Sequence, residues 1–404
     1  MSTKQNIYGS LFVSNNITGD TLTLSTVNNN DSLTEILARN SSGLVEYRDV
    51  STIIPEGKLQ NTYFVSSLSG DNSTALVGDV NKPFKTITGA RNQAVADGFS
   101  NSLIYVHAGD YIDYEVQYEN GNFYFEPNAN VTLSASTSIF RLGTNLNIAD
   151  PIYTCNTCNV YGYGNFIVPA SVPGGGINTM GLNSGLSPQS YFECNSIDID
   201  NGVGFFLAND SKIILKCDLI KRNVGPGTTG CIRISDDSEG YINIRKVEGG
   251  TGAPAVECRW TFGSTFNGKA LINIDEIETA PGCLPVFIVN AVDGSEVVLN
   301  SNKLTNTSSG SSSDYLLYNQ RQRGGTVRIN ANLENEASGI LYGGLGSDAG
   351  LFEFNGNIRT KYTAINHTLT DTSTDIEIKY NGDIVVDGDA TSAIVMNGST
   401  LYLN

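Results

Sequence analysis

The sequence predicts an all-β chain whose main body is a right-handed, single-stranded parallel β-helix. Three observations carry that expectation. Apolar pairs of the form apolar-x-apolar recur at intervals of 24 to 30 residues over the second half of the chain. Asn, Ser, Thr and Gly fill the positions between them. Stretches of helical composition are few, and short β-rich runs separated by turn residues dominate.

The repeat is read from eight pairs: Ile213/Leu215, Ile242/Ile244, Ile272/Ile274, Val297/Leu299, Val327/Ile329, Phe352/Phe354, Ile376/Ile378 and Leu401/Leu403. An apolar companion follows each pair except the last: Leu219, Val247, Ile277, Leu304, Leu333, Ile358 and Ile384. A second apolar cluster precedes most pairs by about ten residues: Ile232/Ile234, Val256/Cys258, Phe287/Val289, Leu316/Leu317, Ile340/Leu341, Ile365 and Ile394/Met396. Period-two alternation sends one side chain in and the next out. The expectation is three short strands per repeat. A single turn of such a coil cannot bury its inner face, so neighbours must stack. Seven intervals of about 4.8 Å give roughly 34 Å of rod.

The corners fit a stack. Asn300 and Asn302, Asn330 and Asn332, and Asn355 and Asn357 lie one and three residues after an anchor in successive repeats. Stacked amides at one corner predict a hydrogen-bonded Asn ladder along the rod. Cys194, Cys217, Cys231, Cys258 and Cys283 fall at or near these strands, which predicts small, reduced, buried side chains.

Ahead of the repeats, residues 83–98 predict a short helix. Thr86 or Thr88 is placed to cap its start and Gly98 to end it, with Ile87, Ala90, Ala94 and Val95 on one face. Less regular strands follow at Phe123–Phe125, Val131–Leu133, Phe166–Val168 and Ile197–Ile199. The stretch 169–190, with Pro173 and Gly174 to Gly176, reads as a long surface loop. Pro83-Phe84, the Thr-Ile helix and Ile104-Tyr105-Val106-His107-Ala108-Gly109-Asp110-Tyr111 together resemble the start of pectate-lyase-like β-helix proteins. That resemblance implies a helix covering the N-terminal end of the rod. Physically, an uncovered end leaves backbone unpaired.

The first 60 residues differ again. Tyr8–Ser14 and Asp20–Ser25 read as short strands with no partner domain. Residues 28–50, from Asn28 to Val50, resemble a segment near the N-termini of tailed-phage fibre and appendage proteins. Too few apolar residues lie here for an independent domain, so an intertwined stem or docking on a larger particle is expected. The expected division is 1–59 for attachment and oligomerisation, 60–111 for the cap helix and first rung, and 112–404 for the β-helix.

Charge narrows the function. The 404 residues carry 24 Lys and Arg against 41 Asp and Glu, a net charge of −17. Nucleic acid as a partner is disfavoured, since phosphate binding needs clustered cations. No apolar run reaches the length of a membrane span, and no secretory leader is evident at Met1-Ser2-Thr3-Lys4-Gln5. Assembly in a host cytoplasm is therefore expected. The seven cysteines are an odd number, and Cys155-x-x-Cys158 has no second pair to complete a zinc site.

Glycoside hydrolysis needs two carboxyls flanking the bond. Candidate pairs are Asp198/Asp200, Asp236/Asp237, Glu257 with Asp275, and Asp275/Glu276. For Asp198/Asp200 the competing reading is an outward polar face opposite Ile197 and Ile199. Arg245 and Arg259 lie near Asp275 on candidate rungs, while Arg321 and Arg323 sit in a turn. Trp260 has core parity, and His107 and His367 have no neighbouring nucleophile motif. Asp387-Gly388-Asp389 lacks the ligand count of a calcium loop. The expectation is a virion structural protein: a phage tail or head fibre subunit, homotrimeric, bound to other virion proteins by its N-terminal segment and presenting the rod to a host-surface glycan. No catalytic, cofactor or metal residue is assigned and no cofactor is expected. The alternatives are a tailspike-like polysaccharide depolymerase and a bacterial surface adhesin.

Overall fold

The computed structural model describes residues 35–39, 45–49, 61–98, 102–113, 117–118, 121–133, 139–142, 158–169, 176–180, 189–200, 204–208, 212–223, 230–235, 237–250, 254–259, 266–280, 283–289, 291–292, 294–306, 315–320, 324–335, 338–344, 350–369, 377–388, 392–397 and 400–403. The chain divides into Met1–Glu56 and Gly57–Asn404. In the first unit, Glu35–Arg39 and Val45–Asp49 form an antiparallel hairpin, with Leu37 opposite Tyr47. The strands expected at Tyr8–Ser14 and Asp20–Ser25 lie outside the described residues.

The second unit is a parallel β-solenoid. Its described strands form one sheet of 18 strands and one of 11. Away from the ends of the stack, each strand pairs in parallel with its counterpart one turn earlier and one turn later. In the larger sheet the inward column runs Phe192, Leu215, Ile242, Ile272, Leu299, Ile329, Phe354 and Tyr380. A second inward column runs Val131, Phe166, Ile197, Ile220, Val247, Ile277, Leu304, Leu333, Ile358 and Ile384. The smaller sheet closes the core with Phe205, Ile232, Val256, Val286, Leu317, Ile340, Ile365 and Ile394. Because like stacks on like, almost every one of these side chains is fully removed from water.

Several expectations are corrected in detail. The anchor pair and its companion do not form separate strands in the central rungs. They share one strand of 10 or 11 residues: Lys212–Arg222, Glu239–Gly249, Lys269–Thr279, Glu296–Asn306 and Thr326–Asn335. Only later do they separate, at Leu351–Asn355 with Ile358–Thr360, and at Glu377–Asn381 with Ile384–Val386. Gly356 and Gly382 mark those breaks, with φ of 143° and 148°. A Cβ on Gly356 would stand 2.0 Å from the Ala331 carbonyl oxygen, so only glycine fits.

The register also differs. Leu215 faces Ile242, not Ile244, and Ile213 faces Gly240. Likewise Phe354 faces Tyr380, so Ile378 matches Phe352. The pairs at 242/244, 272/274 and 376/378 are therefore two residues out of step with their neighbours. A shift of two preserves parity, so Ile242, Ile244, Ile272, Ile274 and Ile378 still point inward, while Ile376 lies outside the described residues. Two parity readings do change. Ile220 replaces Leu219 as the inward residue, and Val286 and Ile288 point in where Phe287 and Val289 were expected.

The stretch 169–190 is not one loop. Gly176–Met180 is a strand of the smaller sheet, paired with Ile139–Leu142 and Phe205–Ala208, and Gln189 begins the next long strand.

Helix α1, Ile87–Ala96, is capped by Thr86, whose side chain accepts from the Gly89 N–H at 3.0 Å. It buries Ile87, Ala90 and Ala94. Val95 is 59% exposed, since it stands one helical step round from Ala94. Gly98 ends the helix with φ 70°, and the Tyr63 hydroxyl donates to Asp97 at 2.8 Å, tying the helix end to strand Thr62–Val65.

The Asn ladder is present and longer than expected. Asn273 donates to Asn243 (2.8 Å), Asn300 to Asn273 (2.8 Å), Asn330 to Asn300 (2.6 Å), Asn355 to Asn330 (2.8 Å) and Asn381 to Asn355 (2.7 Å). The second Asn column works differently. Asn332 and Asn357 accept from the backbone N–H of Asn357 and Asp383, both at 3.1 Å. Cys194, Cys217, Cys231, Cys258 and Cys283 are all free and buried, as expected.

Candidate functional site

The long strands bend after Cys194, Cys217, Ile244 and Ile274, and the strand pairing skips one residue there. Asn195, Asp218, Arg245 and Asp275 occupy that bend on successive rungs. They line a groove of about 520 Å³, together with Tyr163, Glu193, Lys216, Asn243, Asn273 and the two thiols Cys194 and Cys217. The groove exists because stacked bends repeat the same concavity at each turn.

Its electrostatics centre on one ion pair. Arg245 donates through Nε to Asp218 Oδ1 at 2.6 Å and through Nη2 to Oδ2 at 2.9 Å. The fork-shaped guanidinium matches the carboxylate. That hydrogen bond holds the Asp218 carboxyl below its usual value and raises Arg245. Asp275 adds to the negative field on Arg245. Lys216 sits over the Tyr191 ring at 5.4 Å, and its contact with Tyr191 raises its own pKa. Tyr163 is 59% exposed beside the groove.

Next to the groove the outer face is partly apolar. Tyr191, Ile214, Tyr241, Leu271 and Val298 align in register, and Tyr161 stacks on Tyr191 at 5.1 Å. Tyr241 and Leu271 are well exposed. Aromatic faces beside amides, carboxylates and a guanidinium can stack on and hydrogen-bond a polar ring compound.

The carboxyl candidates fare unevenly. Asp198 is half-buried on the outer face, in register with Lys221. Burial raises its pKa; Lys221 opposes this, while Asp200 and Glu248 add to it. Asp200 accepts from Asn223 at 2.9 Å. Glu257 and Asp275 are not brought together. Glu257 is buried on the smaller sheet, 3.9 Å from Arg233, and accepts from the Gly230 N–H. Asp275 and Glu276 diverge, the first into the groove and the second towards Lys246.

Lys246 itself bridges Glu248 and Glu278, both at 3.0 Å. Asp387 pairs with Arg359 at 2.6 Å. Asp237 is exposed. Asp236, Trp260, Arg321, Arg323, Asp389 and Cys155 lie outside the described residues, as do the side chains of Cys158, Arg259 and His367.

His107 has partners the sequence did not announce. Its Nδ1 lies 3.2 Å from Glu126, which also accepts from the Tyr105 hydroxyl and the Ala108 N–H, both at 2.9 Å. Burial pulls the Glu126 carboxyl up, but those hydrogen bonds outweigh it and leave it lowered. Tyr105 is pushed up to about 12, mainly by burial and then by Glu126. Sequence reading singled out Arg245 and Asp275, which the groove unites. It missed Asp218, Lys216 and the outward tyrosines, because outward parity alone does not say which rungs meet at a bend.

Comparison of the chain with protein-family models, curated proteins and solved structures finds no match.

Proposed function

We propose that the chain is a non-enzymatic structural subunit of a virion appendage, a phage tail or head fibre, with a right-handed solenoid that contacts a host-surface glycan. The observation that carries this reading is the groove at the bend, where tyrosines flank the Asp218–Arg245 pair and a row of amides. Sugars are bound by that combination of ring faces and hydrogen-bonding groups. The stack behind it gives the rigidity a fibre needs, since the rungs around the groove are paired on both sides. In this reading α1 covers the N-terminal end of the rod, residues 1–59 attach to other virion proteins, and three copies assemble. The phage assignment rests on the resemblance of residues 28–50.

The test is retention of the full chain on immobilised host-surface polysaccharide. Wild type is expected to bind, and Tyr163→Ala with Arg245→Ala to lose at least tenfold in affinity while keeping the wild-type circular dichroism spectrum. Equal retention of wild type and variant would remove the groove from the reading. Sedimentation reporting a monomer would remove the trimer.

A second reading, glycan depolymerase, draws on Asp198. A carboxyl with a raised pKa beside a second carboxyl, Asp200, is what a general acid requires. Shortened polysaccharide chains after incubation, abolished by Asp198→Ala, would favour it over the structural role.

A further inference from the structure

We infer that Cys194 and Cys217 form an oxidisable dithiol that a small-molecule disulfide entering the groove converts to a cross-rung disulfide. Three observations meet here. The two residues are direct register partners on adjacent parallel strands. Adjacent strands hold partner backbones about 4.8 Å apart, inside the range a disulfide spans. The Cys194 thiol donates to Cys217 Sγ at 3.3 Å. Finally, both line the groove at the bend, so the pair has a route to solvent although each side chain is nearly buried.

The neighbours bear on direction. Cys217 donates to the Leu219 carbonyl at 3.3 Å, which holds its sulfur in place as the acceptor of the Cys194 hydrogen. Lys216 and Arg245 line the same groove. Glu193, Asp218 and Asp275 line it too, and Arg245 is already paired with Asp218, so the walls carry both signs and the selection of this pair rests on its geometry. Burial raises the Cys194 thiol, so exchange is slow at neutral pH and speeds up as pH rises.

The chemistry balances as two exchanges. The Cys217 thiolate attacks one sulfur of R–S–S–R; the mixed disulfide forms and R–S⁻ leaves, taking up the Cys217 proton from solvent. The Cys194 thiolate then attacks the Cys217 sulfur, the S–S bond to R breaks, and a second R–SH departs. Two protein thiols are oxidised and one small disulfide is reduced to two thiols. The product ties together two rungs whose cysteines are 23 residues apart in sequence. The bond would be absent in reducing surroundings and form on transfer to an oxidising one.

The test uses the folded full chain and oxidised glutathione. Native protein is oxidised, quenched in acid, denatured, alkylated and mapped by mass spectrometry. The expected result is loss of two alkylatable thiols, a peptide joining Cys194 to Cys217, and an oxidation rate that rises with pH. Cys194→Ser is expected to stop at a stable mixed disulfide on Cys217, one glutathione heavier. A smaller variant effect on folding is separated by circular dichroism, and the wild-type map stands without any variant. Oxidation that leaves Cys194 and Cys217 alkylatable, or that joins other cysteines first, would overturn the inference.

Discussion

Replacing Asn330 by Ala isolates the contribution of the amide ladder. Asn330 donates to Asn300 at 2.6 Å and accepts from Asn355 at 2.8 Å. Each net hydrogen bond is worth about 0.5 to 1.5 kcal/mol, so two give roughly 1 to 3 kcal/mol. The position is half-buried, and water can reach part of the gap, which favours the lower half of that range. Asn355 also keeps a bond to Glu353 at 3.3 Å. Asn243 stands at the end of the ladder, exposed, and accepts one such bond, from Asn273. Its replacement by Ala is expected to cost under about 1 kcal/mol. Urea denaturation followed by circular dichroism measures both midpoints. The double variant Asn300→Ala with Asn330→Ala shares one bond, so the two costs should fall short of additivity by about 1 kcal/mol. Equal costs at Asn330 and Asn243, or strict additivity for the pair, would refute a ladder that acts through its hydrogen bonds.

Four further substitutions probe the rest of the fold. Phe192 is fully buried between Phe166 and Phe205, with ring centroids at 5.2 and 5.7 Å, and Phe192→Ala is expected to cost about 3 to 5 kcal/mol in urea; under 2 would mean the rungs collapse onto the cavity. Gly356→Ala should cost more than about 2 kcal/mol, because its Cβ meets backbone, while Gly98→Ala, also at positive φ but in open space, should cost only about 1 to 2; a reversed order by thermal melting would contradict the close approach. Asp198 has a folded-state pKa above its unfolded one, so the folded chain holds more protons in that window and stability falls as pH rises through it. Asp198→Asn should therefore raise the urea midpoint at neutral pH and lose that advantage in acid; a destabilised variant at neutral pH would show that Lys221 outweighs burial.

Much of the solenoid was legible because its pattern is repeated. Inward residues such as Val247, Ile277, Leu304 and Leu333 could be read one by one, since each obeys the same alternation. The helix was legible from Thr86 and Gly98, which act locally. Strand Gly176–Met180 was not, because the Gly-rich run before it masks a strand that only its neighbours stabilise. The groove was half legible. Arg245 and Asp275 stood out as charges on rungs, but Asp218 has no mark of its own until the rung beneath is placed. Buried Glu257 was misread for a similar reason: the smaller sheet's outer face is covered around Arg233 and Glu257, which parity cannot report.

What sets the register is a separate question from what sets the core. An aliphatic column tolerates a slip of two residues, since inward positions remain inward and Ile, Leu and Val are near-equivalents. The amide column does not. Its members are separated by 30, 27, 30, 25 and 26 residues, intervals that follow the true pairing through every change in corner length. A slip of two that brings Arg328 into the column in place of Asn330 would break both of its amide bonds, at roughly 1 to 3 kcal/mol. Hydrophobic burial is nearly indifferent to that slip, so a term this small decides it. Asn243 and Asn273 lie between the members of the apolar pairs 242/244 and 272/274, whereas Asn300, Asn330 and Asn355 follow theirs. Aligning the rungs on the amides alone corrects both of those frames, and places Tyr380, one residue before Asn381, in the column of Phe354. The apolar residues thus specify that a solenoid forms, and the asparagines specify which solenoid.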